Sequence, residues 1–235
     1  MIVIVIIRRP QIMKITAVIP TKNEEKGIAT VLKKIPPDIV SDVVVVDGSE
    51  DKTAAIARKN NATVVKALGK GTGLDIQIFL REYDLDSADI YVMLDGDNTY
   101  DPREIEKMVK PIIENEADIV MGKRFNGAEA RIEDGAMTPI NRFGNLCLTV
   151  AGRILYNRKV RDLCTGYWAF NKKAIKKINI KAKRYDLEAN LFTQATKNGF
   201  RLKEIPIHYT KRIGESGLTV KDGFDILYML LREKV

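Results

Sequence analysis

Two carboxylates, Asp95 and Asp97, stand one residue apart where the apolar run Tyr91–Leu94 ends. In extended backbone, side chains two positions apart point to the same side, so both would face one spot. Like charges so placed call for a counter-cation, and hard oxygen ligands favour Mg²⁺ or Mn²⁺ shared with substrate phosphates. The competing use of the same residues is a polar surface turn, Asp95–Asn98, capping a helix that begins at Pro102.

The elements that would position this pair are legible in the hydropathy pattern. Beginning at Ile15, short β-branched runs alternate with segments of helical spacing. The runs at 15–20, 42–47, 62–67, 89–95 and 118–123 are continuously apolar, as in strands buried on both faces of a parallel sheet. Segments 24–34, 51–60, 72–83 and 102–115 have helical spacing, and Pro102 suits a first turn. The expected fold class is α/β, a mostly parallel sheet flanked by helices, in which ligands bind outside the carboxyl ends of the strands. IPTKNEE, VVVVDGSEDKT, ALGKGTG and MLDGDNT follow the first four strands in turn. All four clusters therefore fall on one edge of the sheet, which favours the cation over the turn. A P-loop is excluded at the third, because Gly71 follows Lys70 where Ser or Thr would be needed.

A chain of 235 residues with 45% hydrophobic content fits one large domain, or one with a small appendage. Its net charge of +8 suits nucleotides, phospholipid head groups or nucleic acid without choosing among them. With Cys147, Cys164 and His208 as the only residues of their types, a disulfide framework, a Cys-rich zinc site and a multi-histidine metal centre are excluded. The opening MIVIVII is apolar for seven residues before Arg8 and Arg9, too short to cross a bilayer and without a signal-peptide layout. It reads as an edge strand, a membrane-touching tail or a mis-set start. At the other end, Phe224, Leu227, Tyr228, Leu230 and Leu231 cluster at helical spacing beside Arg232 and Lys234. Such a helix either closes the domain or lies in the bilayer interface.

Taken in order, VIPTKNE, VVVVDGSEDKT, GKG, DGDNTYDP, GKRF, DLCTGYWAF and RIGES resemble the motifs of the family 2 glycosyltransferases with a GT-A fold. More narrowly, they resemble the dolichyl-phosphate mannose synthase-like enzymes, which move a sugar from a nucleotide diphosphate to a dolichyl or polyprenyl phosphate. The likeness runs from about Thr16 to about Leu218. It implies that Pro20, Thr21, Glu24 and Asp47 hold the base and ribose, and that Lys70 and Gly71 approach the nucleotide. By the same resemblance, Asp95, Gly96 and Asp97 meet the diphosphate, with Asp95, Asp97 and Thr99 around Mg²⁺ or Mn²⁺. Thr99 stands where mannose synthases can carry Gln. On the acceptor side it implies Arg124, Arg142 and Arg212 around a lipid phosphate, with Asp162, Thr165, Gly166 and Ser216 lining the region. Asp95, Asp97, Arg124 and Arg212 are the catalytic set. Glu188 lies where relatives carry an acid, although an exposed helix face would explain it nearly as well.

The implied reaction is an inverting single displacement. An acceptor phosphate is already anionic and needs no strong general base, which suits a chain with one histidine. Gly48, where mannose-type relatives commonly carry Asp, tilts the donor toward UDP-glucose or UDP-N-acetylglucosamine over GDP-mannose. A soluble sugar or glycan acceptor is the alternative, with Glu133 or Asp134 as base. A non-catalytic nucleotide- or nucleic-acid-binding module is the third reading, and the chain has no aromatic-rich basic stripe to support nucleic acid as a partner. The expected organisation is a tail or edge strand at 1–14, a catalytic domain at 15–218 divided at 123/124 into donor and acceptor halves, and an amphipathic helix at 219–235. The expected place is peripheral, on the cytoplasmic face of the membrane, without signal peptide or spanning helix.

Overall fold

The structure, a computed structural model, describes residues 13–125, 128–215 and 217–234. The expectations for the apolar start and for Ser216 lie outside the described residues.

The continuously apolar runs form β1 (Ile15–Thr21), β2 (Asp42–Asp47), β3 (Thr63–Lys66), β4 (Ile90–Met93) and β5 (Ile119–Lys123). Later strands are β6 (Arg131–Ile132), β7 (Trp168–Asn171), β8 (Leu202–Pro206) and β9 (His208–Tyr209). The main sheet has the order β3-β2-β1-β4-β7-β5-β8, and β6 pairs separately with β9. Only β7 runs antiparallel to its neighbours in the main sheet. It inserts between β4 and β5, with Trp168 opposite both Met93 and Met121. The strand is not announced by the DLCTGYWAF segment that carries it, because pairing with partners so distant leaves no local pattern. Burial there follows from alternation: Trp168 and Phe170 enter the apolar layer on one face of the sheet, Tyr167 and Ala169 the layer on the other.

Four helices lie between the early strands, α1 (Ile28–Lys34), α2 (Thr53–Lys59), α3 (Thr72–Glu82) and α4 (Ile105–Ile113). A 3₁₀ turn at Pro102–Glu104 leads into α4, with the Asp101 side chain accepting from the Arg103 amide. Beyond them come α5 (Pro139–Tyr156), α6 (Lys172–Lys177), α7 (Leu187–Lys197) and α8 (Val220–Arg232). α5, α7 and α8 pack together on one face. α8 buries Ile226, Met229 and Leu230, and the Leu230 carbonyl accepts from the Tyr156 hydroxyl at 2.8 Å. The terminal helix thus closes the domain, while its outer side, with Phe224 and Tyr228, stays exposed. Among the described residues no helix is long and apolar enough to cross a membrane.

Candidate functional site

A cleft of about 930 Å³ opens at the carboxyl ends of the parallel strands. Asp95 and Asp97 leave β4 into it, and the chain turns at once because Asn98 adopts a positive φ of 71°. Asp97 Oδ1 accepts from the Thr99 amide at 2.8 Å and the Thr99 hydroxyl at 2.6 Å, all buried. Thr99 thereby orients Asp97. The other oxygen, Oδ2, meets the Arg212 guanidinium at 2.6 Å, whose second arm pairs with Glu24. Gly166 packs behind Asp95: a Cβ there would lie 3.1 Å from Asp95 Oδ2, so any larger residue would crowd the carboxylate.

Negative charge is in excess here. Burial, then the charge of Asp97, raises Asp95 from its ordinary range to about 7. Burial likewise lifts Glu24 to about 8 although Arg212 pulls the other way. Glu188, in the first turn of α7, faces the same cleft and is pushed to about 8 by burial, with Asp95 adding to the shift. Asp97, Glu24 and Asp95 all act on the Arg212 guanidinium, and the Asp95–Asp97 pair suits a divalent cation. No three acidic, His or Cys side chains converge among the described residues, so the ion's remaining oxygens would come from substrate, as Mg²⁺ commonly takes them.

The corner expected to take the nucleotide is built by β1, β2 and the loop before α3. Asp47 accepts from the Thr21 hydroxyl at 2.8 Å and the Ser49 hydroxyl at 2.6 Å, and it borders an adjoining cavity of about 460 Å³. Pro20, Thr21, Lys70, Gly71 and Gly96 line the main cleft. Gly48 has a steric reason of its own: a Cβ would lie 2.2 Å from Gly69 Cα, where two loops cross. Its presence therefore says less about the donor than its place in the motif implied. At Gly71, φ 140°, a Cβ would lie 2.4 Å from the Lys183 carbonyl oxygen.

The acceptor set is split. Arg124 does not line the cleft: its Nε and Nη2 donate to Asp162 at 2.8 Å each, in a pair that is buried on both sides. A guanidinium fork matches carboxylate as well as phosphate, and here the carboxylate has it, with Asn145 Nδ2 as a further donor at 2.9 Å. Asp162 is thus the partner of Arg124 in the floor. Thr165 is also buried, its carbonyl accepting from Trp168 Nε1 at 2.6 Å. Arg142 is exposed on α5 with its guanidinium 5.6 Å from the Phe125 ring, outside the cleft. Of the expected acceptor cations only Arg212 reaches Asp97. Neither Glu133 nor Asp134 faces the cleft; Glu133 accepts instead from the Lys211 amide at 2.9 Å. His208 pairs with Glu104 through Nδ1 at 2.8 Å.

Lys22, Arg184 and Tyr185 also line the cleft; Lys22 stands inside IPTKNEE, while KAKRYD, which carries the other two, has no periodicity to set a face. Glu188 did carry a signal: Leu191, Phe192 and Ala195 share its helical face and are buried, so the acid sits on an apolar stripe.

Residues 16–179 match the family described as Glycosyl transferase family 2. The chain is 31% identical to the UDP-N-acetylglucosamine--dolichyl-phosphate N-acetylglucosaminyltransferase of Methanococcus voltae, covering 93% of this chain and 95% of that protein. It is 32% identical to the dolichyl-phosphate hexose transferase of Haloferax volcanii, over 87% of this chain and 86% of that one. Among solved structures, glucosyl-3-phosphoglycerate synthase from Mycobacterium tuberculosis, in complex with Mn²⁺, UDP and glucosyl-3-phosphoglycerate, superimposes with a TM-score of 0.73 at 21% identity, over 94% of this chain and 80% of that one. That likeness is one of fold, the GT-A arrangement.

Proposed function

Because the chain belongs to glycosyl transferase family 2, we propose that this glycosyltransferase moves a sugar from a nucleotide diphosphate sugar to a dolichyl or polyprenyl phosphate, with inversion. The observation that carries the reading is the Asp95–Asp97 pair in the cleft, with Arg212 bridging Asp97 and Glu24. Asp95 and Asp97 would hold Mg²⁺ or Mn²⁺, which when bound offsets the charge of the diphosphate. Thr99 acts through Asp97, keeping one carboxylate oxygen turned to the cleft.

In the reaction a phosphate oxygen of the acceptor forms a bond to the anomeric carbon as the bond from that carbon to the diphosphate breaks, and the nucleoside diphosphate leaves with the electron pair. The acceptor brings its own charge, so no residue has to take a proton. Arg212 is the cation best placed to meet that phosphate, and Lys70 and Arg184 add positive charge at the rim. The lipid acceptor is supported by the names of the Haloferax and Methanococcus relatives, and a UDP-sugar donor by that of the second. Membrane contact is peripheral in this reading, on the cytoplasmic face, with residues 15–218 as the catalytic domain.

Glu188 favours a second reading, a hydroxyl acceptor whose proton this carboxyl would take, since it faces the cleft and is raised toward neutrality. One panel separates the two. UDP-glucose, UDP-N-acetylglucosamine and GDP-mannose are each offered with a short polyprenyl phosphate or a free sugar, with Mg²⁺ or Mn²⁺, and products are weighed by mass spectrometry. A glycosylated lipid phosphate is expected; a glycosylated free sugar alone would replace the first reading by the second.

A further inference from the structure

Arg212 reaches Asp97 from a segment whose backbone is fixed on both sides of it. The Thr210 amide donates to the Thr99 carbonyl at 2.9 Å, and the Ile213 amide to the Asp97 carbonyl at 2.9 Å. The Thr210 hydroxyl adds a bond to the Asn98 carbonyl at 2.6 Å. Residues 210–213 are thus laced to the turn that carries Asp97. Within that frame the guanidinium has two carboxylate partners, Asp97 Oδ2 at 2.6 Å through Nη1 and Glu24 through Nη2. Its remaining nitrogen, Nε, is buried and has no hydrogen-bond partner among the described residues. A buried donor left unmade is costly. The fork therefore lies one acceptor short in its present pose, and its side-chain torsions let it change partners while the backbone stays held.

The same contact bears on the cation. Asp97 Oδ1 is taken by the Thr99 amide and hydroxyl, and Oδ2, the oxygen left for an ion between Asp95 and Asp97, carries Arg212. Guanidinium and divalent cation compete for one oxygen. Sharing it would set a double positive charge against a single one beside a buried carboxylate, where screening by water is weak. Further protein ligands do not offset this, since no three acidic, His or Cys side chains converge among the described residues. A diphosphate changes the balance on both sides. It brings oxygens to the cation, and it brings the guanidinium fork acceptors of the geometry that suits it, Nε included.

We propose that Arg212 is a built-in counter-cation that makes the cleft take a divalent cation together with a nucleoside diphosphate and reject the free ion. Arg212 holds Asp97 until both arrive, then passes from the carboxylate to phosphate oxygens by a turn of its side chain. The inference rests on the metal reading above and goes beyond it, to the form in which the cation is accepted. Cation and nucleotide are then coupled ligands, each raising the affinity for the other by the same factor.

The test reads Mn²⁺ instead of product. Electron paramagnetic resonance of free Mn²⁺ gives the bound fraction as the full chain is titrated alone, with UDP and with GDP, after subtraction of the Mn²⁺ that each nucleotide holds without protein. The unaltered protein should bind Mn²⁺ about tenfold or more tightly with one of the nucleotides than alone. Arg212→Ala should bind Mn²⁺ alone about tenfold more tightly than the unaltered protein does, and gain less from the nucleotide. Arg212→Lys keeps the charge and should bind Mn²⁺ alone as weakly as the unaltered protein. Circular dichroism checks every variant, and Arg212→Gln takes the place of Arg212→Ala if the latter does not fold.

Mn²⁺ bound alone no more tightly by Arg212→Ala than by the unaltered protein overturns the proposal. So does equal tightening by Arg212→Lys, or an unaltered protein that gains nothing from either nucleotide. A protein that takes up no Mn²⁺ under any of these conditions overturns the metal reading of Asp95 and Asp97, and the exchange with it. If the exchange fails while a lipid phosphate is still glycosylated with Mn²⁺, only the role given to Arg212 here is wrong. If Mn²⁺ follows the expected pattern and no lipid phosphate is glycosylated, only the acceptor reading is.

Discussion

Arg124 and Arg212 looked alike in the sequence and are opposite in use. Arg124→Ala would strand the buried Asp162 carboxylate and should cost about 3–5 kcal/mol in urea unfolding. Arg212→Ala strands Asp97 and Glu24, but at an open cleft that admits water, so it should cost less in unfolding than Arg124→Ala while lowering single-turnover transfer sharply. Asp97→Asn should lower transfer by about two to three orders of magnitude, the scale on which one charge-stabilising group counts in a preorganised site. Glu188 gives a pH signature. Its carboxyl is held at about 8 in the folded protein against an ordinary 4.5, so between those values the folded state binds more protons than the unfolded, and stability falls as pH rises through the window. Glu188→Gln should therefore gain about 2–4 °C in Tm at pH 8.5, as ~1 kcal/mol does in a domain of this size, and little at pH 5. The two aspartates do line one cleft, yet Gly96 and Asp97 form a turn beyond the end of β4, so it is the turn and not a strand period of two that sets them there. The partner of Arg124 was not legible in the sequence, because carboxylate and phosphate present the same two oxygens to a guanidinium.

At the scale of elements, the crossing of the loops after β2 and β3 decides more than either strand does. Gly48→Ala would set a methyl 2.2 Å from Gly69 Cα. The loops must part, and thermal unfolding should register a loss of at least about 1–3 kcal/mol. Nucleoside diphosphate binding, read by calorimetry, should weaken with it, since the same loops border the nucleotide corner. The parallel strands were readable because burial on both faces leaves an unbroken apolar run. β7 was not, because its four residues gain their meaning from strands far away in the chain.

For the whole molecule, the terminal helix is part of the core. Removing residues 220–234 would uncover the cluster that Ile226, Met229 and Leu230 complete. The expected result is loss of the near-ultraviolet dichroism and of a compact elution peak, the signs that the fold itself has failed. Helical spacing announced α8, yet spacing alone could not say that Ile226, Met229 and Leu230 would complete the core. The place of β7 bears finally on how such a chain is made. β4 has one free edge and β5 two until Trp168–Asn171 and then Leu202–Pro206 arrive. Residue 171 is synthesised roughly 2–10 s after residue 123 at ~5–20 residues per second. For that interval the nascent polypeptide presents bare, apolar strand edges of the kind that recruit other chains. A ribosome stalled at residue 123 should hold an aggregation-prone stump, and the donor-side half should be unobtainable as a separate, well-behaved fragment.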